Sequence, residues 1–369
     1  MKIVYIIQNL MHGGAEMQLL SVAEAQLKLG NKVKIITLFE PEDYFYNKLD
    51  QLKIELNSFN LTGIGRLPST IIGIRKILKE FRPDIVHSHM YHSNVIARLI
   101  YPIYRPPKYV CTAHNVREGG ALRDWVYRLT DSFCDVTTNV SQAAVDRYNR
   151  DGLVRKSRCI LVQNGIDMER FQFRKHVRAL YRKEFNLAGQ FAWLAVASLT
   201  EQKDFPNLLR AFALLVNKGK YPAHLFIAGS GRLESIIRKM IVELNLSERV
   251  SLLGPRNDVD SLCSMADGYV MSSAWEGLPI VLLEAASCQL PAVVTDVGGN
   301  REIVCNNENG FVVPAKNAEV LAGKMLEMMT MDEERRRAFG VAAREHIKKR
   351  YSIESTAKKW VSLYKSLLS

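Results

Sequence analysis

The sequence lacks any apolar run long enough to cross a membrane, which argues against an integral membrane protein. Its apolar start, residues 1–8, is too short for a signal peptide and has no small-residue cleavage site. The six cysteines are scattered without a Cys-x-x-Cys pair, so neither a disulfide framework nor a zinc site is indicated. No dense Lys/Arg block, aromatic RNA-binding motif or helix-turn-helix signature is present, which excludes nucleic acid as the expected partner. The expectation is a protein of the reducing cytoplasm.

The chain does contain enough apolar residues for two domains of ordinary size. Hydrophobic residues make up 47% and charged residues 24% of its 369 positions, which is typical of a globular protein with a core in each half. The formal charge of +12 is unevenly distributed. Residues 1–180 hold 26 Lys and Arg against 17 Asp and Glu, whereas residues 181–369 hold 24 against 21. This basic excess predicts an anionic partner or surface for the first half.

Short apolar strands alternate with amphipathic helices in both halves, a pattern typical of parallel sheets with helices on both faces. Strands are expected in the first half at residues 2–7, 33–37, 84–89, 108–115, 136–140 and 159–163. In the second half they are expected at residues 191–198, from 224, at 250–254 and at 268–271. A turn cluster followed by a basic segment that ends at Lys183 places the domain boundary near residue 180. Residues 318–369 are expected to be helical throughout.

Residues 271–284 carry the chemistry that the rest of the chain positions. They follow an apolar strand and open an apolar helix, in whose first turn Pro279 is favourable because its missing N–H costs nothing. Glu276 is expected at the helix mouth and Glu284 inside the helix, roughly 7–8 Å further along the axis. The backbone N–H groups expected to form an anion site with the helix dipole are those of Gly277 and Leu278. Two carboxylates on either side of a phosphate-binding site suit a nucleotide-sugar as the ligand. The alternative is that this segment has no ligand and packs as an ordinary part of an α/β fold.

The pair Glu276-x7-Glu284, within Ser-Ala-Trp-Glu-Gly-Leu-Pro…Leu-Glu-Ala, resembles the double-glutamate signature of retaining glycosyltransferases of family GT4. The resemblance covers nearly the whole chain. It implies the GT-B fold, in which two Rossmann-like, doubly wound α/β domains face each other across a cleft. It also implies an acceptor-binding domain over residues 1–180 and a nucleotide-sugar-binding domain over residues 181–351. The last helix, about residues 352–369, is implied to pack back on the first domain.

Lys203 matches the family lysine that holds the departing diphosphate together with an arginine, although a surface lysine before a helix is common. Ser198 stands where the family has that arginine. Arg256, Arg232 or backbone N–H groups are the alternatives for the missing cation. On its own, Ser198 favours a protein that binds nucleotide without turnover.

The resemblance implies further donor contacts in the second half. Glu276 is implied to hold the 3- and 4-hydroxyls of the sugar and Glu284 the ribose hydroxyls. The phosphates are implied to lie against Gly277, Leu278 and Pro279. The turn after the strand that starts at residue 224 is nucleotide-friendly, and its glycines are Gly229 and Gly231. The candidates for contacting the base are Arg256 and Asn257.

Two positions in the first half match family motifs. Gly13-Gly14, between a strand and a helix, resembles the family loop Gly-Gly-x-Glu that faces the donor phosphate and the acceptor, and a tight turn is the alternative. His114 ends a strand and matches the family histidine that contacts the donor sugar, where a structural histidine is the alternative. His87-Ser-His89 lacks a local carboxylate or Cys partner, so no metal site is expected. His87 is expected to point inward and His89 toward the cleft.

A membrane-facing surface is predicted in the first half. Residues 71–82 and 95–108 mix apolar and aromatic side chains with cations that include Arg75, Arg98 and Arg105. This composition suits a surface that dips into anionic headgroups. A core helix with snorkelling cations is the alternative.

These features predict transfer of a sugar, with retention, from a nucleotide-diphosphate sugar to a hydroxyl of a glycan or lipid-linked acceptor. UDP is favoured as the nucleotide, and surface polysaccharide or glycolipid biosynthesis as the setting. No Asp-x-Asp motif appears where a donor would need a metal, so neither a metal nor a cofactor beyond the donor is expected. The expected location is the cytoplasm, at the inner face of the cell membrane. The alternatives are a nucleotide-sugar epimerase and an inactive nucleotide-sugar-binding module at a membrane surface.

Overall fold

The computed structural model of the chain describes residues 1–11, 13–154, 159–218 and 222–369. Its strands are β1 (Lys2–Ile7), β2 (Lys32–Thr37), β3 (Glu55–Ser58), β4 (Ile85–His89), β5 (Lys108–Ala113), β6 (Val136–Asn139), β7 (Cys159–Leu161), β8 (Phe191–Val196), β9 (Ala223–Ala228), β10 (Val250–Gly254), β11 (Gly268–Met271), β12 (Ala292–Thr295) and β13 (Gly310–Val313). Its α-helices are α1 (Gly14–Lys28), α2 (Asp43–Gln51), α3 (Leu67–Phe81), α4 (Tyr91–Ile100), α5 (Ala121–Thr130), α6 (Gln142–Arg150), α7 (Lys175–Glu184), α8 (Phe205–Lys218), α9 (Glu234–Glu243), α10 (Val259–Met265), α11 (Ile280–Ser287), α12 (Asn300–Ile303), α13 (Ala318–Thr330), α14 (Glu333–Arg350) and α15 (Ile353–Leu368).

The elements form two compact units, Met1–Gly165 with Ile353–Ser369, and Ile166–Ser352. The division therefore lies about fifteen residues before the boundary predicted near residue 180. The reason is α7, which packs on α10 of the second unit. Two arginines of α7, Arg178 and Arg182, bind the carboxylate of Asp267 at 2.5 and 2.9 Å.

The first unit is built on one parallel sheet in the order β3-β2-β1-β4-β5-β6-β7. Successive residues of β1 point to opposite faces, and both faces are buried. Ile3, Tyr5 and Ile7 join a core formed with α1, α2 and α15, and Val4 and Ile6 join a second core formed with α3 and α4. Burial on both sides explains why β1 is a continuous apolar run.

The second unit has a parallel sheet in the order β10-β9-β8-β11-β12-β13. Trp193 of β8, Phe212 of α8 and Met325 of α13 belong to its largest core cluster. The predicted pair of doubly wound parallel sheets is thereby confirmed. In this sheet the strand order reverses between β8 and β11, and in the first sheet between β1 and β4. Loops at the carboxyl ends of such strands are where open α/β sheets bind ligands.

The structure departs from the expected elements at the two edge strands β3 and β13, which were not predicted. No residue of β3 is fully buried, so this strand has no apolar run. The segment from residue 318 is helical as expected, and it consists of three helices, of which the last, α15, matches the helix expected at about residues 352–369. A new helix starts after Asp332, whose side chain accepts a hydrogen bond from the amide of Arg335 at 2.7 Å, and α14 ends at Arg350 with Tyr351 as its C-cap. No helix among the described residues combines the length and apolar character that a membrane crossing needs.

Candidate active site

Two loops leave the second sheet at its point of reversal. One follows β8 and carries Lys203, and the other follows β11 and carries Glu276. Because β8 and β11 are parallel neighbours, both loops emerge at the same carboxyl edge. The two side chains meet there, although they are 73 positions apart in the sequence.

The carboxylate of Glu276 is only 3% exposed and receives three hydrogen bonds. Lys203 Nζ donates to Oε1 at 2.6 Å, Ser273 Oγ donates to the same oxygen at 2.7 Å, and Gln202 Nε2 donates to Oε2 at 3.2 Å. An ionised carboxylate has about four acceptor sites and an ammonium has three hydrogens. Both groups therefore keep capacity for a ligand hydroxyl or phosphate oxygen. Ser273 and Gln202 were missed at the sequence level, because only the fold brings them to Glu276.

The loop after β12 packs against the backbone of Glu276 and Gly277. Gly298 has a φ of +55°, and a Cβ there would lie 2.3 Å from the Glu276 carbonyl oxygen. The amide of Gly299 donates to the carbonyl of Gly277 at 2.6 Å. Glycine is required at position 298 both by the left-handed backbone and by this close approach.

The N-terminal end of α11 follows Glu276 after a short loop segment. Pro279 is the N-cap residue and not part of the first turn as predicted, since the helix begins at Ile280. The amides of Leu282 and Leu283 both donate to the Pro279 carbonyl, at 3.2 and 3.4 Å, so the amides before them stand outside the helical ladder. Gly277, Leu278 and Pro279 are buried. The positive end of the helix dipole therefore points at the loop that carries Glu276.

Glu284 lies in the fifth position of α11 and is half-buried. Burial raises the pKa of its carboxyl to about 7, while the nearby Arg170 lowers it and Asp260 raises it further. No hydrogen bond to this carboxylate is found within the described residues. Arg170, which also donates to the Asn257 carbonyl at 3.3 Å, was not predicted from the sequence.

The glycines of the turn after β9 are needed by the protein's own backbone. A Cβ on Gly229 would lie 2.0 Å from the carbonyl oxygen of Ala197, and one on Gly231 would lie 2.5 Å from that of Leu199. The turn therefore packs against the loop after β8, where Ser198 is exposed. This contact gives Gly229 and Gly231 a packing role, and their contact with a nucleotide stays a prediction.

The arginines considered as substitutes for the missing family cation are both paired with carboxylates. Arg256 binds Asp258 through two hydrogen bonds, at 2.8 and 2.5 Å, and Arg232 is paired with the exposed Glu201. Asn257 stands between Arg256 and Asp258, and its carbonyl is the group that Arg170 contacts.

Acidic side chains near this edge are engaged by cations. Asp258 also accepts from the hydroxyl of Tyr181 at 2.8 Å, and Asp260 binds Arg174 at 2.7 Å. Within the described ranges, His, Cys, Asp and Glu nowhere gather in threes as a metal ion would require.

In the first unit, Gly13 is the N-cap of α1 and Gly14 is its first residue. A Cβ on Gly13 would lie 2.4 Å from Oε2 of Glu16, whose carboxylate folds back over the cap. Glu16 is 7% exposed, and burial raises the pKa of its carboxyl to about 7. The close approach of Glu16 gives Gly13 a local packing role, and the contact of this loop with the donor phosphate and the acceptor stays a prediction.

His114 follows β5 at the carboxyl edge of the first sheet. Its Nε2 lies 3.0 Å from Nδ1 of the buried His89, and burial lowers the pKa of His114 to about 4. The amide of His114 donates to Glu118 at 3.2 Å. The other oxygen of Glu118 accepts from the hydroxyls of Tyr127 and Tyr148, and burial raises the pKa of this carboxyl to about 7. The imidazole of His114 is therefore neutral and contacts His89, while Glu118 fixes the backbone of His114.

His87 and Arg98 are interior residues. His87 lies between the Tyr364 hydroxyl at 2.7 Å and the Thr112 hydroxyl at 2.6 Å, as expected for an inward side chain. Arg98, predicted to face headgroups, is fully buried and donates to the carbonyl of Tyr127 at 3.1 Å. That prediction was wrong for Arg98, because the basic residue falls on the inner face of α4.

Solved structures with the same architecture include WaaG, a glycosyltransferase involved in lipopolysaccharide biosynthesis, with a TM-score of 0.78 and 19% identity over 98% of this chain and 99% of its own. Anabaena Alr3699/HepE in complex with UDP-glucose is similar with a TM-score of 0.88 and 20% identity, over 99% of each chain. The chain has the GT-B fold.

Family models match both parts of the chain. "Glycosyltransferase Family 4" matches residues 12–170, and "Glycosyl transferases group 1" matches residues 177–346. The chain belongs to the group 1 glycosyltransferases of family 4, as its sequence motifs indicated.

Two curated relatives are named for substrates linked to diphosphoundecaprenol. The UDP-Gal:alpha-D-GlcNAc-diphosphoundecaprenol alpha-1,3-galactosyltransferase of Escherichia coli is 28% identical over 261 residues, 66% of either chain. The N,N'-diacetylbacillosaminyl-diphospho-undecaprenol alpha-1,3-N-acetylgalactosaminyltransferase of Campylobacter jejuni is 22% identical and matches 88% of this chain and 89% of its own.

Proposed function

We propose that this glycosyltransferase moves a sugar from UDP-sugar to a hydroxyl acceptor, with retention and without an essential metal. The observation that carries the proposal is the buried contact between Lys203 and Glu276 at the point where the second sheet reverses. At this ligand-binding edge of the sheet, a cation can bind the diphosphate of a nucleotide-sugar, and a carboxylate can bind the hydroxyls of its sugar. UDP is favoured because a relative and a structural neighbour carry it in their names.

Each group has a distinct proposed task in donor binding. Lys203 and the mouth of α11 neutralise the diphosphate, and they do so most strongly as the leaving group gains charge. Glu276, held by Ser273 and Gln202, accepts hydrogen bonds from the sugar hydroxyls. Glu284 accepts hydrogen bonds from the ribose hydroxyls. The hydrogen bonds that the ion-paired Lys203 and Glu276 make to the donor are charge-assisted and therefore stronger than neutral ones.

In the proposed chemical step, no side chain of the protein has to act as a base. The bond between the anomeric carbon and the phosphate oxygen breaks, and the acceptor oxygen bonds to the same face of that carbon. The acceptor proton passes to the departing phosphate oxygen. His114, neutral near pH 7 because burial lowers its pKa to about 4, is proposed to hydrogen-bond a sugar hydroxyl and not to carry the proton.

The acceptor is proposed to be a lipid-linked saccharide in surface polysaccharide or glycolipid biosynthesis. The Escherichia coli and Campylobacter jejuni relatives are named for sugars attached to diphosphoundecaprenol, whereas two other relatives are named for L-malate and D-inositol 3-phosphate. The basic excess of residues 1–180 suits the anionic surface in which such a lipid resides. Peripheral attachment at the inner face of the cell membrane follows as part of this proposal.

A donor panel tests the proposal. The purified protein is incubated with UDP-, GDP- and ADP-sugars, and release of the nucleoside diphosphate is measured with and without EDTA. We expect slow release from one UDP-sugar, unchanged by EDTA, and a loss of at least about tenfold in Glu276→Ala and Lys203→Ala. Glu201→Ala is the matched control. Glu201 lies two positions before Lys203 in the sequence, but its carboxylate is exposed and pairs with Arg232.

Each result bears on one part of the proposal. Release from no nucleotide-sugar would refute it, and a change of sugar without nucleotide release would identify an epimerase. Loss of activity in EDTA that Mg²⁺ restores would refute metal independence. The anomeric configuration of a product made with a soluble acceptor, read by NMR, tests retention.

A further inference from the structure

Helix α5 presents large apolar side chains to solvent. Leu122, Trp125 and Leu129 are 74%, 55% and 56% exposed. Their spacing of three and four residues places them along one stripe of the helix. Tyr127, on the opposite side, is 2% exposed and anchors the helix to the first unit. The stripe therefore faces outward as a consequence of how α5 packs.

An arginine borders this stripe on one side. Arg128, three residues after Trp125, lies beside the stripe. Arg123, four residues before the buried Tyr127, instead lies nearer the packed side, with its guanidinium over the ring of Tyr91 at 4.8 Å. Both donate at 2.7 Å to main-chain carbonyl oxygens, and among the described residues neither forms an ion pair with a carboxylate. Asp124, the acid of this helix, is neutralised by Arg147 at 2.6 Å. The border of the stripe is thus positively charged.

Helix α9 shows that exposed apolar residues alone do not produce this arrangement. Its Ile236 and Val242 are 51% and 66% exposed. Its cations, however, are compensated, since Arg238 pairs with Glu234 and Lys239 with Glu243. An apolar stripe with a tryptophan and an uncompensated flanking cation is the pattern of a helix that lies in the interface of an anionic membrane.

The position of α5 connects this surface to the site residues of the first unit. The helix begins seven residues after His114, and Glu118 in the intervening loop accepts from both the His114 amide and the Tyr127 hydroxyl of α5. We propose that Leu122, Trp125 and Leu129 insert into the headgroup region of an anionic bilayer, with Arg128 on a lipid phosphate. The proposal rests on the proposed function in that a lipid-linked acceptor would be reached from such a bilayer.

Vesicle flotation tests the proposal. The full chain is mixed with vesicles of phosphatidylcholine alone or with one third phosphatidylglycerol, and the floated fraction is measured. We expect binding to the anionic vesicles, a partition coefficient at least tenfold lower in Leu122→Ser/Trp125→Ser/Leu129→Ser, and no change in the control Ile236→Ser/Val242→Ser. Arg128→Gln should reduce the preference for anionic vesicles. Circular dichroism establishes that each variant is folded.

Fluorescence gives a second measurement that does not depend on a multiple substitution. Trp193 and Trp360 are buried, so in Trp275→Phe the exposed Trp125 dominates the response to vesicles. We expect a blue shift with anionic vesicles. Flotation that is equal in the α5 and α9 variants, or no shift of Trp125, would overturn the proposal. So would a dimer in sedimentation that the α5 variant abolishes, since a second copy would then be the occupant.

The donor panel separates this proposal from the proposed function. If wild-type protein floats with the vesicles but releases no nucleotide, the proposed function is refuted and the proposed membrane surface is still supported. Protein that releases nucleotide but fails to float would refute the membrane surface alone.

Discussion

Substituting alanine for Gly298 tests whether the loop after β12 holds Glu276 in place. A Cβ at this position would lie 2.3 Å from the carbonyl oxygen of Glu276 and 2.9 Å from that of Gly277. The φ of +55° costs a non-glycine residue about 1–2 kcal/mol. Relieving the overlap with backbone atoms costs about 1–3 kcal/mol more. We expect the free energy of unfolding to fall by about 2–5 kcal/mol, which lowers Tm by about 5–15 °C.

Differential scanning calorimetry measures this Tm, and donor turnover is measured at a temperature where the variant stays folded. Because the Cβ displaces the backbone of Glu276 itself, we expect turnover to fall at least about tenfold. Gly323→Ala is the matched control, since a Cβ there meets nothing within 4 Å in the exposed face of α13. It should raise the free energy of unfolding by about 0.5–1 kcal/mol. A Gly298→Ala protein with wild-type Tm and turnover would refute the reasoning.

Two further predictions follow from buried carboxylates. Lys203→Met removes the ammonium but keeps an apolar side chain, so the buried Glu276 loses its cation. We expect urea denaturation to show a free energy of unfolding roughly 1–3 kcal/mol lower, and we expect turnover to fall at least about tenfold. A variant with unchanged stability and turnover would contradict the role of the pair. Burial raises the pKa of Glu16 from 4.5 to about 7, so the folded state binds this proton more tightly than the unfolded state. The stability of the wild type relative to Glu16→Gln should therefore be greatest below pH 4.5 and fall by up to about 3 kcal/mol as the pH rises through 7, whereas a constant difference would contradict the burial argument.

The sheets were predictable where burial on both faces leaves a continuous apolar run. β1 and β11 are such strands, and their bounds match the prediction residue for residue. The sequence places Lys203 and Glu276 each on a loop after a strand, but their contact depends on β8 and β11 being neighbours in the sheet, which was not predicted. β3, with four residues at a sheet edge and none fully buried, carries no comparable signal.

The rest of the candidate site depends on partners that only the fold supplies. Nothing near Gly298 in the sequence indicates that the Glu276 backbone approaches it, and nothing near Arg256 or Arg98 indicates whether each faces a ligand, a lipid or the interior. Arg256 is tied to Asp258, and Arg98 is buried against Tyr127. The outward stripe of α5 was missed for a similar reason, because its inner side is fixed by Tyr127 and not by a regular apolar period.

Binding of UDP and of the UDP-sugar that is turned over, measured by isothermal titration calorimetry, tests the central claim most directly. Glu276 is proposed to contact the sugar and Lys203 the diphosphate. Glu276→Gln should weaken binding of the UDP-sugar at least about tenfold and leave UDP bound as tightly as before or more tightly, while Lys203→Met should weaken both. Equal losses for UDP and UDP-sugar in Glu276→Gln, or no loss for either, would contradict the account.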